Sequence, residues 1–441
     1  MITDQSIFCQ PFQKLLEKLH SQFINYLDGN NILNNLQSGF RKNHNTQTAL
    51  VLISEHILKS FDDRKLTILS TLDFSKAFDM VNHNILIIKL YQIGISLNAV
   101  NWIKSYLCGR KQRVSFNGKI SSWSNISAGV PQGSTLGPLL FTIYTLDLSQ
   151  KLKYCNFHQY ADDTVIYCSC SVVMYNQAIN QLTSDLNAIH SWAESNYLKL
   201  NIQKCKFQVF GTPSLLKKIR NINNYPKIDG LPLERVKTVR ILGMYFDECL
   251  TWSSHIAEKC KAAYRSLYQL KRLQNLLPAK LKTILTNSLV LSQLNYCDVV
   301  YDSIGPGLSH RVQLIQNACI RFIFNLKKFD HISKFMEKLN WLNMSNRRLL
   351  HKMTFTHKIL TLKTPTYLSD NFIPRNTIHD HNTRQNSLIV TQQHTTSVYG
   401  SSFIVSSTIK YNALPPHLTS LNLNQFKKHY NKILLQSQTS L

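Results

Sequence analysis

The sequence predicts an α+β region followed by a long run of helices. Two observations predict it. Up to about residue 250, short β-branched and aromatic runs alternate with apolar stripes that step by three and four. Beyond that point the stripes are helical only.

Taken in order, Phe12, Leu15, Leu16, Leu19, Phe23 and Leu27 space as a helix, and Ala49, Ile53, Ile57 and Phe61 as a second. Leu66–Leu72 reads as a strand that ends on an acid, Asp73. Phe74–Phe78 turns the chain into a helix through Val81, Ile85, Ile88 and Leu90, and residues 99–107 form another. Gln112–Phe116 and Ser121–Ile126 read as short strands around an Asn117-Gly118 turn. A Gly129–Gly133 loop precedes the apolar helix Leu136–Leu146. Tyr154–Gln159 and Thr164–Cys170 then flank Tyr160-Ala161-Asp162-Asp163 as a hairpin, with two carboxylates at its tip. Ile179, Leu182, Leu186, Ile189 and Ala193 mark an amphipathic helix. Cys205–Phe210 is a strand, and Val239–Phe246 is one more, broken at Gly243. Stripes through Ile256–Leu270 and Leu308–Phe322, then Phe426–Leu435, complete the helices. Residues 376–408, rich in Asn, Thr, Ser, Gln and His, read as a polar loop or tether.

The 441 residues are 44% hydrophobic, enough for a large core and two or three domains. Lys and Arg number 50 against 24 Asp and Glu, a net +26. Residues 1–247 carry +10 of it and the shorter remainder +16. This excess calls for a polyanion, nucleic acid or acidic membrane. The cations are spread over helices rather than massed beside a greasy anchor, which favours nucleic acid. Ten cysteines form no Cys-x-x-Cys pair, so no zinc ribbon is legible. Cys155, His158, Cys168 and Cys170 read as buried hairpin residues. Free thiols fit an intracellular compartment, nuclear or cytoplasmic. No apolar run is long enough to span a bilayer, and the first residues do not form a signal peptide.

Asp73, Asp162 and Asp163 are the candidate chemistry. Crowded carboxylates repel unless cations neutralise them, and hard oxygen ligands suit Mg²⁺ above all. Two such ions would clamp the oxygens of a phosphoryl displacement. Taken alone, Asp73 reads as a helix N-terminal acid and Asp162-Asp163 as turn chemistry. Their combination is what shifts the reading.

Leu72-Asp-Phe-Ser-Lys-Ala-Phe-Asp79, Gly129-Val-Pro-Gln-Gly-Ser-Thr-Leu-Gly-Pro138 and Tyr160-Ala-Asp-Asp163 stand in an order that resembles reverse transcriptases, specifically those of non-LTR (LINE-like, jockey-type) retrotransposons. Gln37-Ser-Gly-Phe-Arg41, Leu198-Lys-Leu-Asn201 with Lys204, Leu242-Gly-Met-Tyr-Phe-Asp247, and Asn412-Ala-Leu-Pro-Pro416 extend the resemblance over nearly the whole chain.

The resemblance implies an α+β right-hand polymerase. Its palm sheet would be backed by helices, with partial fingers, a helical thumb and a mostly α-helical C-terminal extension. The expected division is fingers and palm over 1–247, thumb over 248–330, and an extension over 331–441 that holds the polar loop 376–408 and a terminal helix. The implied activity is RNA-directed DNA polymerisation, with an RNA template, a DNA primer, deoxynucleoside triphosphates and two Mg²⁺ ions, or Mn²⁺. Asp73, Asp162 and Asp163 would bind the metals, and Lys204 would assist the departing pyrophosphate. Phe74 would offer its backbone to the nucleotide. Phe78 would close off the sugar's 2′ side. Gln132, with Gly133, would touch the nucleotide and template. Leu242 and Gly243 would grip the primer end. Arg41 would bind template, or only a neighbouring carboxylate; both readings stay open. Read singly, Phe78 is core, Gln132 a surface residue and Lys204 a solvated lysine. Relative to the family pattern, Thr3-Asp4 stand where Arg-Pro is usual before Ser6–Cys9, so the chain is expected to begin inside the fingers. The alternative function is a non-catalytic, RNA-binding relic of such an element.

Overall fold

The computed structural model describes residues 10–377 and 388–439. Thr3, Asp4, Ser6–Cys9 and residues 378–387 of the expected polar loop lie outside them. The chain divides into two compact units, Met1–Asn45 with Ile68–Phe207 and Asn221–Val236, and Thr46–Thr67 with Gln208–Arg220 and Lys237–Leu441.

Most residues of a five-stranded sheet belong to the first unit. Its strands are β1 (Leu66–Leu72), β2 (Asn156–Tyr160), β3 (Asp163–Cys170), β4 (Lys206–Phe210) and β5 (Glu234–Arg235), in the order β5-β4-β1-β3-β2. Six of the seven residues of β1 are buried, as befits a central strand covered on both faces. Strands β2 and β3 form the expected hairpin, with Tyr160 opposite Asp163. Its Cys168, Cys170 and His158 are buried, as the sequence implied, whereas Cys155 stands just before β2 and is only half-buried. The helix Tyr175–Ser195 lays its stripe of Ile179, Leu182, Leu186, Ile189 and Ala193 inward and packs on β3. From that helix the buried Asp185 accepts the backbone N–H groups of Lys153, Tyr154 and Cys155 at 3.0, 3.0 and 2.8 Å. One carboxylate thus satisfies three donors of the chain entering β2. The helix Gln10–Gly29 forms as expected and buries Leu16 and Leu27, while Leu15 faces solvent. The Asn117-Gly118 turn closes a short β arm over residues 111–125.

The second unit is mainly helical. Helix Thr46–Asp62 buries Ala49, Ile53, Ile57 and Phe61. The strand expected at Val239–Phe246 is instead a hairpin, Thr238–Ile241 against Met244–Asp247. Its two-residue turn has left-handed φ at both Leu242 (45°) and Gly243 (81°), the geometry that lets tight hairpins follow strand twist. Helices Ser253–Lys271 and Pro306–Phe324 match their stripes.

Two features differ from expectation. The 19-residue helix Met344–Leu362 has no legible stripe, because its buried face includes Arg348, Lys352 and His357 beside Met353 and Ile359. The expected loop 376–408 contains the helix Ser397–Gly400 and the first part of the helix Phe403–Asn412. Local composition hid the second one. Its Ile404 N–H is accepted by Glu55 Oε1 at 3.0 Å, from a residue 349 positions away. Likewise Asp62 Oδ1 accepts the backbone N–H groups of Thr395 and Thr396 at 2.9 and 2.8 Å. The terminal helix, Leu423–Thr439, contributes Phe426, Tyr430 and Leu434 to a core with Leu342, Leu350, Met353 and Leu418. Among the described residues no helix is long and apolar enough to cross a membrane.

Candidate active site

Asp73 directly follows β1, Asp162 lies in the Ala161-Asp162 turn between β2 and β3, and Asp163 is the first residue of β3. Strands β1 and β3 are neighbours in the sheet. Acids 89 positions apart in the chain thus border neighbouring strands. The Asp73 carbonyl accepts the Asn201 N–H at 2.8 Å, which folds the Leu198–Lys204 turn over it. From that turn Lys204 Nζ stands 3.6 Å from Asp73 Oδ2, both side chains partly in solvent.

The loop around Gly39 holds the Asp162 turn. Ser38 N–H donates to Gln159 O at 2.8 Å and Gln159 N–H to Leu36 O at 3.0 Å, running the loop along β2. His158 Nε2 and Ser38 Oγ are 3.0 Å apart. Burial, with the nearby charge of His44, lowers the His158 pKa to about 3, so this contact is made by a neutral ring. A β-carbon on Gly39 would lie 2.4 Å from the Ala161 nitrogen. Only glycine allows that approach. Ala161 itself has a left-handed φ of 58°.

The next residue, Phe40, meets Phe78 edge-on, with ring centroids 6.3 Å apart. Phe78 also stacks on Phe141 at 4.3 Å. Its ring is thus held between two others. One loop touches the Asp162 turn through Gly39 and the segment after Asp73 through Phe40.

The Gln132 loop docks on that same segment. Gly129 N–H donates to Val81 O at 2.8 Å and Val130 N–H to Phe78 O at 2.9 Å. Gly129 has a φ of 89°, and a β-carbon there would meet the Asp79 backbone at 2.8–3.0 Å. Gln132 Nε2 donates to Asp79 Oδ1 at 2.8 Å. Gly133, also left-handed at 76°, follows. Asp79, Phe40 and Phe141 were not singled out from the sequence. Asp79 and Phe40 lie within the quoted motifs, yet nothing local indicates their partners.

Phe74 is buried and pairs with Leu200 in a short antiparallel ladder. Arg41 is turned inward: its guanidinium donates to Asn34 O at 2.8 Å and pairs with Asp28 at 3.3 Å. Of its two open readings, this geometry is that of the neighbouring carboxylate. Leu242 and Gly243 belong to the second unit. There Tyr296 OH donates to Leu242 O at 2.6 Å, and Lys259 Nζ lies 5.1 Å from the Tyr296 ring centre.

Among the described residues no three His, Cys, Asp or Glu side chains converge as a ready metal cage. The donors at this site still suit a hard cation. They are carboxylates only, and Asp73 and Asp163 reach solvent. Mg²⁺ characteristically takes one or two carboxylates, keeps waters and completes its shell on substrate phosphates, so it needs no all-protein cage.

An acid-ended central strand beside an acid-tipped hairpin, with a glycine loop docked on the intervening segment, is the arrangement that the family comparison bears on. The profile of the family described as Reverse transcriptase (RNA-dependent DNA polymerase) matches residues 6–246, more than half of the chain, and the chain belongs to that family. It is 28% identical over 321 residues to the probable RNA-directed DNA polymerase from transposon BS of Drosophila melanogaster, covering 70% of this chain and 35% of that protein. It is 26% identical over 324 residues to the RNA-directed DNA polymerase from mobile element jockey of the same fly, covering 70% and 34%. Both of these relatives are polymerases of mobile elements, and the similarity is to them. The chain spans about a third of the length of the curated relatives it matches. A structure of telomerase from Candida tropicalis with a TWJ fragment of telomeric RNA aligns over 95% of this chain and 56% of that one, at 12% identity and a TM-score of 0.39.

Proposed function

We propose that this chain is the polymerase of a non-LTR retrotransposon and copies RNA into DNA. The observation that supports the reading is that β1, which Asp73 follows, neighbours β3, which Asp163 opens. Family membership supports it. The proposed organisation is fingers and palm over 1–247, thumb over 248–330 and an extension over 331–441.

Asp73, Asp162 and Asp163 would hold two Mg²⁺ ions, Mn²⁺ being able to substitute. When bound, these ions supply charge neutralisation to the attacking and leaving oxygens of an in-line displacement. In that displacement the primer 3′ oxygen bonds to the α-phosphorus of a deoxynucleoside triphosphate, and the bond to the β-phosphate oxygen breaks to release pyrophosphate. Lys204 is assigned to the charge that develops on pyrophosphate, on the strength of its 3.6 Å approach to Asp73. Phe78, held by Phe40 and Phe141, is assigned to exclude a 2′ hydroxyl. Gln132 and Gly133 are assigned to the nucleotide, with Gln132 oriented by Asp79. The Phe74 backbone is assigned to the same nucleotide, and the Leu242-Gly243 turn to the primer end.

The test is extension of a DNA primer on an RNA template by the purified chain with deoxynucleotides and Mg²⁺. Template-encoded product that is lost in Asp162→Ala supports the reading. No product, or product unchanged by that substitution, rejects it.

A further inference from the structure

The β arm of residues 111–125 carries chemistry that the reaction above does not use. Lys111-Gln112 pairs with Ser124-Asn125, and Ser115-Phe116 pairs with Lys119-Ile120, around the Asn117-Gly118 turn. Further bonds continue the ribbon: Ser121 N–H donates to Val114 O, and Ile126 N–H to Arg110 O, both at 2.9 Å. The arm leaves the body after helix Leu97–Leu107 and returns four residues before Gly129. Its base therefore adjoins the loop that carries Gln132.

Apolar side chains on so short a ribbon normally turn to a core. Here Phe116 is 72% exposed, Trp123 and Ile120 57% each, and Val114 51%. The Arg113 guanidinium lies 4.5 Å from the Trp123 ring centre, which holds the indole flat against a cation. Arg110, Lys111, Arg113 and Lys119 make the arm positive, and there is no acidic residue between Asp79 and Asp147.

Exposed rings interleaved with cations, free of acids, fit a strand that has both a phosphate backbone and unstacked bases. A duplex would use the cations and leave the rings idle, because its bases are already stacked. We infer that this arm binds single-stranded nucleic acid, namely the unpaired RNA template beside the nucleotide loop. The occupant rests on the polymerase reading; the surface chemistry stands on the arm alone.

The experiment uses the full chain and a 20-nucleotide oligouridylate, with a blunt duplex of equal length as control. Binding is read by fluorescence anisotropy over a salt series, without nucleotide or divalent ion. It therefore judges the arm even if primer extension fails. Phe116→Ala with Trp123→Ala is expected to weaken single-strand binding by about tenfold or more and duplex binding much less. Phe116→Tyr with Trp123→Phe, which keeps the rings, should restore it. Lys111→Gln, Arg113→Gln and Lys119→Gln together should flatten the salt dependence by about 2 in log–log slope. Unchanged single-strand affinity in the alanine variant overturns the inference. So does equal loss on duplex. An arm-dependent capture of phosphatidylserine vesicles, with RNA binding untouched, would assign the surface to a membrane instead.

Discussion

Gly39 and Ala161 meet so closely that a β-carbon on the first would lie 2.4 Å from the amide nitrogen of the second. The contact is backbone to backbone, so no side chain can swing away. Gly39→Ala must move the turn that carries Asp162. The expected result is a loss of about 1–3 kcal/mol in stability, typical of overpacking, with a disproportionate fall in nucleotide addition. Thermal melting and single-turnover extension of the same variant separate the two. A variant that melts lower yet extends at the parental rate would show that the turn tolerates the shift.

Asp79 gives Gln132 its orientation through the 2.8 Å bond. Asp79→Ala and Gln132→Ala should each raise the nucleotide KM, and the double variant should lose less than the two combined. A coupling of about 1 kcal/mol is expected from a double-mutant cycle on kcat/KM. Strict additivity would mean the two act separately.

Phe78 stacks on Phe141 and meets Phe40 edge-on; if it closes off the sugar's 2′ side as proposed, removing its ring opens room for a hydroxyl. Phe78→Val should raise ribonucleotide incorporation by about tenfold or more relative to deoxynucleotide. Competition between the two substrates on one primer measures this. Unaltered discrimination removes Phe78 from the role.

Tyr296 OH supports the Leu242 carbonyl at 2.6 Å. If Leu242 and Gly243 grip the primer, Tyr296→Phe should raise the primer KM by about two- to tenfold, the value of one hydrogen bond, and spare nucleotide KM. Primer titration under saturating nucleotide reads this directly.

Glu55 is fully buried, and burial raises its pKa to about 7 despite hydrogen bonds from Ile404, Ser402 and Phe403 and the charge of Lys352. The folded chain thus keeps a proton that an unfolded glutamate releases near 4.5. This contribution to stability is complete below about pH 4.5, falls as pH rises to about 7, and is level above. Glu55→Gln keeps an acceptor for Ile404 without the ionisation. Melting curves from pH 5 to 8 should lose that decline, worth roughly 3 kcal/mol at most. A parallel pH profile in parent and variant would contradict it.

The five-stranded sheet was legible because its longer strands are short, apolar runs punctuated by acids and glycines. β1 and the β2–β3 hairpin follow from residues within each run. The stripes of helices Ser253–Lys271 and Pro306–Phe324 were legible for the same local reason. What local pattern could not give was long-range pairing. Asp79 and Gln132 lie 53 positions apart, and Glu55 and Ile404 lie 349 apart. The helix Met344–Leu362 escaped because Arg348 and Lys352 occupy its buried face, with Asp302 near both at 3.6 and 3.1 Å. Arg41, left open between template and a neighbouring carboxylate, has Asn34 O and Asp28 as partners, 7 and 13 positions away, which no local pattern announces.

The central claim is that Asp73 and the Asp162-Asp163 pair act as one site. Single-turnover nucleotide addition by Asp73→Asn, Asp162→Asn and the double variant tests it most directly. Each single substitution should slow addition by about a hundredfold or more, and the double variant should be no slower than the worse single one. Either single variant running at the parental rate, or costs that simply multiply, would contradict the account.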